Sequence, residues 1–307
     1  MVKTFGIIGV SEGNGHPFSY GSIINGYSPE GLAASGWPGI YEYVRRRHAS
    51  EFGLQGWTIT HAWTQDSDVT RRLCAACRIP HGVGDYREFL GKVDAVIIAR
   101  DDFENHFQMA QPFLEAGLHV FVDKPLSLEI SELRAFKPYL EKGQLMSCSG
   151  MRYARELDEP RADLPAYGRL KLIRGAIVLS WEKYGIHFLE AILALSTARP
   201  VSVQMLKAEH ASAVVRLEDG VLIQIDALGE CARTFHIEIF GTQRTGAFDL
   251  TDNFSMFRRM LWQFAESIQT GRPAIPPERT LEIMRVLIAG RMARKENREV
   301  LLHEIPI

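Results

Sequence analysis

Short apolar runs alternate with longer stretches of helical periodicity in the first half of the chain. The runs are rich in Val, Ile or aromatic residues and span residues 4–10, 58–63, 93–99 and 118–122. Between the last two, residues recur at i, i+3, i+4, i+7 and i+8 at His106, Met109, Ala110, Phe113 and Leu114, and the pattern ends at Gly117. Such alternation predicts β-α-β crossovers in a parallel sheet covered by helices.

The hydrophobic pattern changes after about residue 150 to longer, alternating strands. Residues 211–217 and 221–228 flank Glu218-Asp219-Gly220, an Asp-Gly hairpin signal, and apolar and other residues alternate over 235–240. Helical spacing follows over residues 257–268 and 280–295, on either side of a Pro-rich stretch. The second half is therefore predicted to be an antiparallel sheet that closes with two helices.

Length and composition favour an ordinary two-domain protein with a small-molecule ligand. The chain has 307 residues, 46% hydrophobic and 23% charged, and 35 basic against 37 acidic side chains give a net charge of -2. This balance argues against nucleic acid or a membrane surface as a partner. The first apolar run is too short for a signal peptide, so we expect a cytoplasmic protein. Cys74 and Cys77 form a C-x-x-C without a second pair at zinc spacing, so helix packing is favoured over a redox or metal role.

A glycine-rich turn follows the first apolar run. After Gly9, the segment Ser11-Glu-Gly13-Asn-Gly15-His16 leads into a predicted helix with Pro17 in its first turn. Free N–H groups and the helix dipole at such a junction suit a phosphate. The G-x-G-x-x-G fingerprint is not met, because Ser11 and Asn14 stand where it requires glycine. A plain tight turn is the alternative interpretation.

A second motif, Asp123-Lys124-Pro125, stands at the end of the fourth apolar run. The strand would deliver an acid and a lysine to the carboxyl edge of the sheet, where ligands bind in open α/β folds. Here the sequence resembles the Gfo/Idh/MocA family of NAD(P)-dependent sugar and inositol oxidoreductases, whose usual motif is Glu-Lys-Pro. Three more stretches resemble the family in the same order: residues 99–106, Lys183-x-x-x-His187-x-x-Glu190, and Gly241-Thr242-x-x-Thr245-Gly246.

The resemblance covers residues 3–302 and implies both a fold and an activity. It implies an α/β chain with an N-terminal Rossmann dinucleotide-binding domain, residues 1–148, and a C-terminal α+β domain, residues 149–307. The second domain would bind substrate and form a homodimer or homotetramer through an open-faced, mainly antiparallel sheet. The implied reaction is NAD- or NADP-dependent oxidation or reduction at a hydroxyl of a sugar, nucleotide sugar or inositol.

Carried over position by position, the resemblance makes Lys124 the active-site lysine and His187 the acid–base residue. A histidine that titrates near neutrality can remove a hydroxyl proton while hydride leaves the same carbon. Lys183 is a third candidate for catalysis; it stands where the family generally has an acid, which hints at an anionic group on the substrate. On a regular helix Lys183, His187 and Glu190 would share one face. The expected cofactor contacts are Gly9, Ser11, Gly13, Asn14, Gly15, His16, Thr64, Gln65, Asp66, Ala99, Arg100, Asp101, His106, Asp123, Lys124 and Pro125.

Two departures from the family leave questions open. An acid for the ribose hydroxyls, Asp66, falls two positions beyond the family's aspartate, so the choice between NAD and NADP is undecided. Residues 27–55 form an insertion that contains Trp37 and the run Arg45-Arg46-Arg47. A solvated helix face is the usual meaning of such a run, and a lid or phosphate contact is the alternative.

Two other functions compete with a dehydrogenase. A protein of this fold could sense a cofactor or sugar without turnover, although the presence of both Lys124 and His187 argues against that role. Alternatively, a lyase could use the bound nicotinamide transiently. Net absorbance change at 340 nm with candidate sugars separates the dehydrogenase from both.

Overall fold

The computed structural model describes residues 2–307 and divides the chain into two compact units. The first unit contains residues up to 127 together with 135–147 and 257–277. The second unit contains residues 128–134, 148–256 and 278–307. A late segment, 257–277, thus belongs with the first unit although most of the second precedes it in the chain.

A six-stranded parallel sheet forms the centre of the first unit. Its strands are β1 (Lys3–Ile8), β2 (Trp57–Trp63), β3 (His81–Gly82), β4 (Ala95–Ile98), β5 (His119–Val122) and β6 (Leu145–Ser147). They pair in the order β3-β2-β1-β4-β5-β6. Every residue of β4 is buried, as expected for a parallel strand with both faces covered. The predicted parallel sheet is confirmed.

Helices connect these strands. Those before β6 are α1 (His16–Asn25), α2 (Pro29–Ala33), α3 (Pro38–Val44), α4 (Ser67–Cys77), α5 (His106–Glu115) and α6 (Ile130–Glu141). The periodicity from His106 to Leu114 therefore predicted α5 closely. Cys74 and Cys77 lie on α4, where burial raises the pKa of their thiols to about 11 and about 12. Both sulfurs stay protonated at neutral pH, in agreement with a packing role.

The insertion folds into helical segments. Residues 27–55 supply α2, α3 and a short 3₁₀ turn at Ala49–Glu51. Arg45 and Arg46 are exposed and pair with Glu42, whereas Arg47 is mostly covered and pairs with Glu51. Two of the three arginines thus form ion pairs on a solvated helix end, as the usual interpretation of such a run predicts.

A seven-stranded sheet organises the second unit. Its strands are β7 (Leu170–Ile177), β8 (Pro200–Leu206), β9 (Ala211–Leu217), β10 (Leu222–Ala227), β11 (Phe235–Gly241), β12 (Thr245–Asp249) and β13 (Val300–Leu301). Their order is β12-β11-β7-β10-β9-β8-β13, and every pair except β7 with β10 is antiparallel. The predicted hairpin joins β9 and β10, and Gly220 takes the positive φ of +84° that the turn needs. The predicted mainly antiparallel sheet is confirmed.

Four further helices complete the described chain. They are α7 (Asp158–Ala162), α8 (Ile186–Leu193), α9 (Asn253–Thr270) and α10 (Pro277–Glu296). The last two are the closing helices predicted from periodicity. Over residues 2–307, no helix is both long enough and apolar enough to cross a membrane.

Candidate functional site

The glycines of the turn between β1 and α1 have different physical roles. A Cβ on Gly9 would overlap the ring of Pro17, and a Cβ on Gly15 would overlap the indole of Trp37 from the insertion. Gly13 instead has a φ of +74°, and no atom lies within 4 Å of the position that a Cβ would take. Packing therefore requires glycine at positions 9 and 15, whereas the backbone conformation favours it at position 13.

Some polar groups of this turn form hydrogen bonds within the protein, and others do not. The Asn14 side-chain oxygen accepts the His16 N–H at 2.8 Å, and Ser11 Oγ donates to Asp101 Oδ1 at 2.5 Å. Among the described residues, the backbone N–H groups of Glu12 and Gly13 have no hydrogen-bond partner. Two free donors beside open space, at a strand-to-helix junction, fit a phosphate group.

Asp123 lies directly after β5 and is 1% exposed. Its carboxylate contacts the His16 imidazole and accepts hydrogen bonds from Asn14 Nδ2 at 3.2 Å and from the Lys124 N–H at 2.9 Å. Burial raises the pKa of this carboxyl, but the charges of His16 and Lys124 and their hydrogen bonds outweigh burial and hold the pKa below its ordinary value. Asp123 is therefore an ionised, buried acid.

Lys124 is also buried, with 4% of its surface exposed. Its ammonium group lies 3.5 Å from Asp101 Oδ2, and it follows Asp123 in sequence. The predicted active-site lysine therefore stands at the carboxyl edge of the sheet with a carboxylate as its partner. A buried ammonium in this position can donate a strong hydrogen bond to a hydroxyl or carbonyl oxygen.

Side chains that were predicted to bind the cofactor form hydrogen bonds that fix the loop after β4. His106 is fully buried, with its ring nitrogens 3.1 Å from the Leu126 carbonyl oxygen and 2.9 Å from that of Arg100. Arg100 donates to Asp102 at 2.9 Å and to Gln65 Oε1 at 3.0 Å. Within the described chain, these groups link the loops that follow β2, β4 and β5. Sequence reasoning did not foresee this structural use.

The end of β2 is similarly engaged. The Thr64 N–H donates to Thr70 Oγ1 at 2.9 Å, and Gln65 Nε2 donates to the Val10 carbonyl at 2.9 Å. Asp66 Oδ1 accepts the N–H of Asp68 at 2.7 Å and thereby caps α4. The acid expected at the ribose thus stabilises the start of a helix.

In the second unit, His187 lies on α8 with 9% of its surface exposed. Its Nδ1 is 2.6 Å from Ser149 Oγ, and its ring packs edge-on against Tyr184 at 5.0 Å. Glu190 is 1% exposed and accepts a hydrogen bond from Arg152 at 2.9 Å. Burial raises the pKa of Glu190, and the charge and hydrogen bonds of Arg152 only partly offset that effect. Glu190 thus forms a buried ion pair with Arg152.

The expected single helix face for Lys183, His187 and Glu190 is wrong. Residues Trp181–Gly185 form a π-helical turn before α8, so Lys183 lies outside the regular helix that carries His187 and Glu190. Lys183 is exposed, whereas His187 and Glu190 are buried.

Trp181 accounts for the position of this π-helical turn. Its side chain is 1% exposed, and its Nε1 donates to the Leu287 carbonyl on α10 at 3.3 Å. A Cβ on Gly185 or Gly290 would overlap the indole. The two glycines thus make room for Trp181 within the second unit.

Three contributors to these clusters escaped sequence reasoning. Ser149 and Arg152 follow β6 in a 3₁₀ turn at Gly150–Tyr153, where no motif marks them. Trp37 lies in the insertion, where the sequence pattern assigns it no role. Ser149 stands two residues beyond the end of a buried strand, and a polar residue near such an end was the one available signal.

Comparison with known proteins agrees with this architecture. Residues 39–150 match the Gfo/Idh/MocA model, described as the oxidoreductase family with an NAD-binding Rossmann fold. YceM of Salmonella typhimurium, named only as a candidate oxidoreductase, is 36% identical over 72 residues, which is 24% of this chain and 23% of that protein. The chain thus matches less than a quarter of that relative's length.

Solved structures extend the likeness in fold to nearly the whole chain. A scyllo-inositol dehydrogenase from Lactobacillus casei, crystallised with NAD(H) and scyllo-inositol, superposes with a TM-score of 0.76 at 16% identity over 99% of this chain and 100% of that one. A myo-inositol 2-dehydrogenase from Lactobacillus plantarum gives 0.77 at 15% identity over 98% and 99%. The sheet order and these superpositions thus define a first unit with a Rossmann-type fold. Over residues 39–150 the chain is similar to the Gfo/Idh/MocA family, in agreement with the resemblance that its motifs indicated.

Proposed function

We propose that the protein is a NAD-dependent dehydrogenase that oxidises a secondary hydroxyl of an inositol-like polyol or a sugar. The observation that carries the proposal is Lys124, a buried ammonium at the carboxyl edge of a dinucleotide-binding sheet. The family match and the inositol dehydrogenases of the same fold support the substrate class.

The turn after β1 supports NAD as the cofactor. The free N–H groups of Glu12 and Gly13 would hold a pyrophosphate oxygen, and the missing side chain of Gly13 leaves room for it. A 2′-phosphate would need a free cation, but the Arg100 guanidinium is already bonded to Asp102 and Gln65. We therefore favour NAD over NADP.

Lys124 and His187 would supply the polar steps. The Lys124 ammonium would donate to the substrate oxygen and stabilise negative charge as the hydroxyl proton leaves. The His187 imidazole would accept that proton, with Ser149 fixing its orientation through Nδ1. The bound nicotinamide would take the hydride from the same carbon.

Lys183 would contribute to substrate recognition. It is exposed on the π-helical turn, and no ion pair engages it within the described chain. An ammonium in this state suits an anionic substituent, such as a carboxylate or phosphate, on the polyol or sugar. Lys183→Ala should therefore mainly raise KM, whereas an equal loss in kcat would make Lys183 part of the chemistry.

The test is oxidation of a panel of inositols, sugars and nucleotide sugars with NAD, followed at 340 nm. Lys124→Met and His187→Gln should each lower kcat by roughly a hundredfold with little change in NADH affinity. Lys142→Met is the matched control, because Lys142 is exposed in the same unit as Lys124 and should behave as the unmodified protein. Full activity of His187→Gln would refute its assignment. Product formation without net NADH would favour a lyase, and NADH binding without turnover would favour a sensor.

A further inference from the structure

The insertion between α1 and β2 forms one side of a cleft in the first unit. This insertion cleft has a volume of about 410 Å³, which is within the range of small-molecule sites. Residues 24–27 at the end of α1, residues 47–53 of the insertion and Arg78 after α4 contribute to its lining. Because α1 has ten residues, the cleft lies about 15 Å from the glycine turn at the other end of that helix. A ligand in the cleft would therefore leave the turn free.

Hydrogen bonds hold the walls of the insertion cleft together. The Asn25 side chain donates to the Ile59 carbonyl and accepts the Ile59 N–H, each at 2.8 Å, which fixes the end of α1 against β2. The Gly53 N–H donates to the Ile23 carbonyl at 2.9 Å and joins the insertion to the same helix end. The cleft is thus a preformed part of the first unit.

The charged side chains that line the insertion cleft are two arginines. Of the run Arg45-Arg46-Arg47, only Arg47 lines it, and its guanidinium lies 3.4 Å from the partly exposed Glu51 carboxylate. The second is Arg78, whose guanidinium forms no hydrogen bond or ion pair within residues 2–307. No acid stands among the described residues of the lining. Two positive charges beside one cavity favour an anionic ligand.

Arg78 occupies a backbone conformation that disfavours its residue type. It follows α4 with a φ of 54° and a ψ of 39°, in the left-handed region where glycine or asparagine usually ends a helix. Its guanidinium lies over Gly26, since a Cβ on that glycine would be 3.7 Å from Nη1. A positive charge at a helix C-terminus is one use for such an arginine, and a ligand in the cleft is the other.

An aromatic wall stands beside these cations. The ring centroids of Tyr27 and Phe52 are 5.5 Å apart, with their planes inclined by 39°. Both side chains are partly exposed, and Ile24 and Ala49 add apolar surface to the same cleft. Partly exposed aromatic rings next to guanidinium groups suit a ligand that has both a planar ring and an anionic group.

We propose that the insertion cleft binds a phosphate monoester that carries an aromatic ring. Arg47 and Arg78 hold the phosphate, and Tyr27 and Phe52 contact the ring. A phosphate monoester fits better than a carboxylate, because its charge of about −1.5 to −2 and its three terminal oxygens can satisfy two guanidinium groups at once. The site is separate from the glycine turn, and the proposal does not rest on the proposed function.

Calorimetric titration with phenyl phosphate, with and without saturating NADH, tests the proposal. We expect the same affinity in both titrations, because the turn and the cleft are at opposite ends of α1. Inorganic phosphate lacks the ring, phenol lacks the phosphate and benzoate has a single charge, so each should bind roughly tenfold more weakly. No binding of phenyl phosphate at millimolar concentration, displacement of it by NADH, or equal affinity for any of the three other compounds would overturn the proposal.

Arg78→Asn is the informative variant, because asparagine tolerates the left-handed backbone and supplies no guanidinium. It should melt at an unchanged or higher temperature and bind phenyl phosphate roughly tenfold more weakly. Arg47→Gln should weaken binding similarly and provides a second measurement at a different element. Arg46→Gln is the matched control, because it removes the same charge from the same run outside the cleft.

Unchanged affinity in either cleft variant, or an equal loss in Arg46→Gln, would overturn the proposal. A lower melting temperature of Arg78→Asn with unchanged affinity would assign the arginine to the end of α4 instead. None of these measurements involves turnover, so their failure would leave the proposed dehydrogenase activity unaffected.

Discussion

The buried pair of Arg152 and Glu190 makes stability in the second unit dependent on pH. Glu190 is 1% exposed and Arg152 has 12% of its side chain exposed, with 2.9 Å between the guanidinium and the carboxylate. Arg152→Met would keep much of the apolar stem and remove the charge. Removal of one partner from a buried pair costs about 3–5 kcal/mol, and the partial exposure of Arg152 favours the lower figure, about 3 kcal/mol at pH 8.

The sign of the pH dependence follows from the pKa of Glu190. Burial already raises this pKa, and loss of the opposing Arg152 raises it further. The folded protein then binds more protons than the unfolded chain, so the free energy of unfolding falls as pH rises, by about 1.4 kcal/mol per pH unit between the two pKa values. The deficit of Arg152→Met should be small near pH 5 and largest near pH 8.

Urea unfolding followed by circular dichroism at about pH 5, 6.5 and 8 measures this difference. The control is Arg152→Met with Glu190→Gln, because Gln removes the charge and keeps an oxygen to accept the Ser149 N–H. The double variant should recover most of the lost stability at pH 8. An equal deficit at pH 5 and pH 8, or a double variant no more stable than the single one, would refute the reasoning.

Three further outcomes are expected. Gly15→Ala should lower the melting temperature, because overpacking against Trp37 reduces the free energy of unfolding by roughly 1–3 kcal/mol. Adding Trp37→Ala should relieve that strain without restoring the lost aromatic contact. Calorimetric melting of both variants checks this. Iodoacetamide at neutral pH should modify exposed Cys231 and spare Cys77, whose pKa is raised to about 12, as mass spectrometry would show. The protein should self-associate through the sheet of the second unit, because a sheet with helices on one face leaves its other face uncovered. A monomer mass of 34.6 kDa in sedimentation equilibrium would contradict this.

The spacing of hydrophobic residues predicted most of the secondary structure, because it indicates which face of a helix or strand is buried. The spacing from His106 to Leu114 anticipated α5, and alternation around Asp219-Gly220 anticipated the hairpin of β9 and β10. The motif Asp123-Lys124-Pro125 likewise placed both charged residues at a strand end, because a parallel strand fixes where its next residues emerge.

Side-chain partners could not be predicted in the same way, because they depend on which groups, distant in sequence, the fold brings next to each side chain. Asp66 was expected at a ribose, and one of its carboxylate oxygens also caps α4, a use that its position after β2 did not reveal. His106 was expected to face the cofactor, and its ring nitrogens lie against two loop carbonyls. The π-helical turn before His187 depends on Trp181 fitting beside Gly290, more than a hundred residues away in the chain.

The fit of Trp181 against two glycines limits which residues around Lys183 and His187 can be substituted. Any side chain at Gly185 or Gly290 would displace the indole and, with it, the turn that carries Lys183 and leads to His187. Lys183 is exposed and has no contact with the indole of Trp181, so this position can vary without displacing Trp181. On the proposed function, variants with a new specificity should therefore differ at Lys183, while residues 181, 185 and 290 change together or not at all.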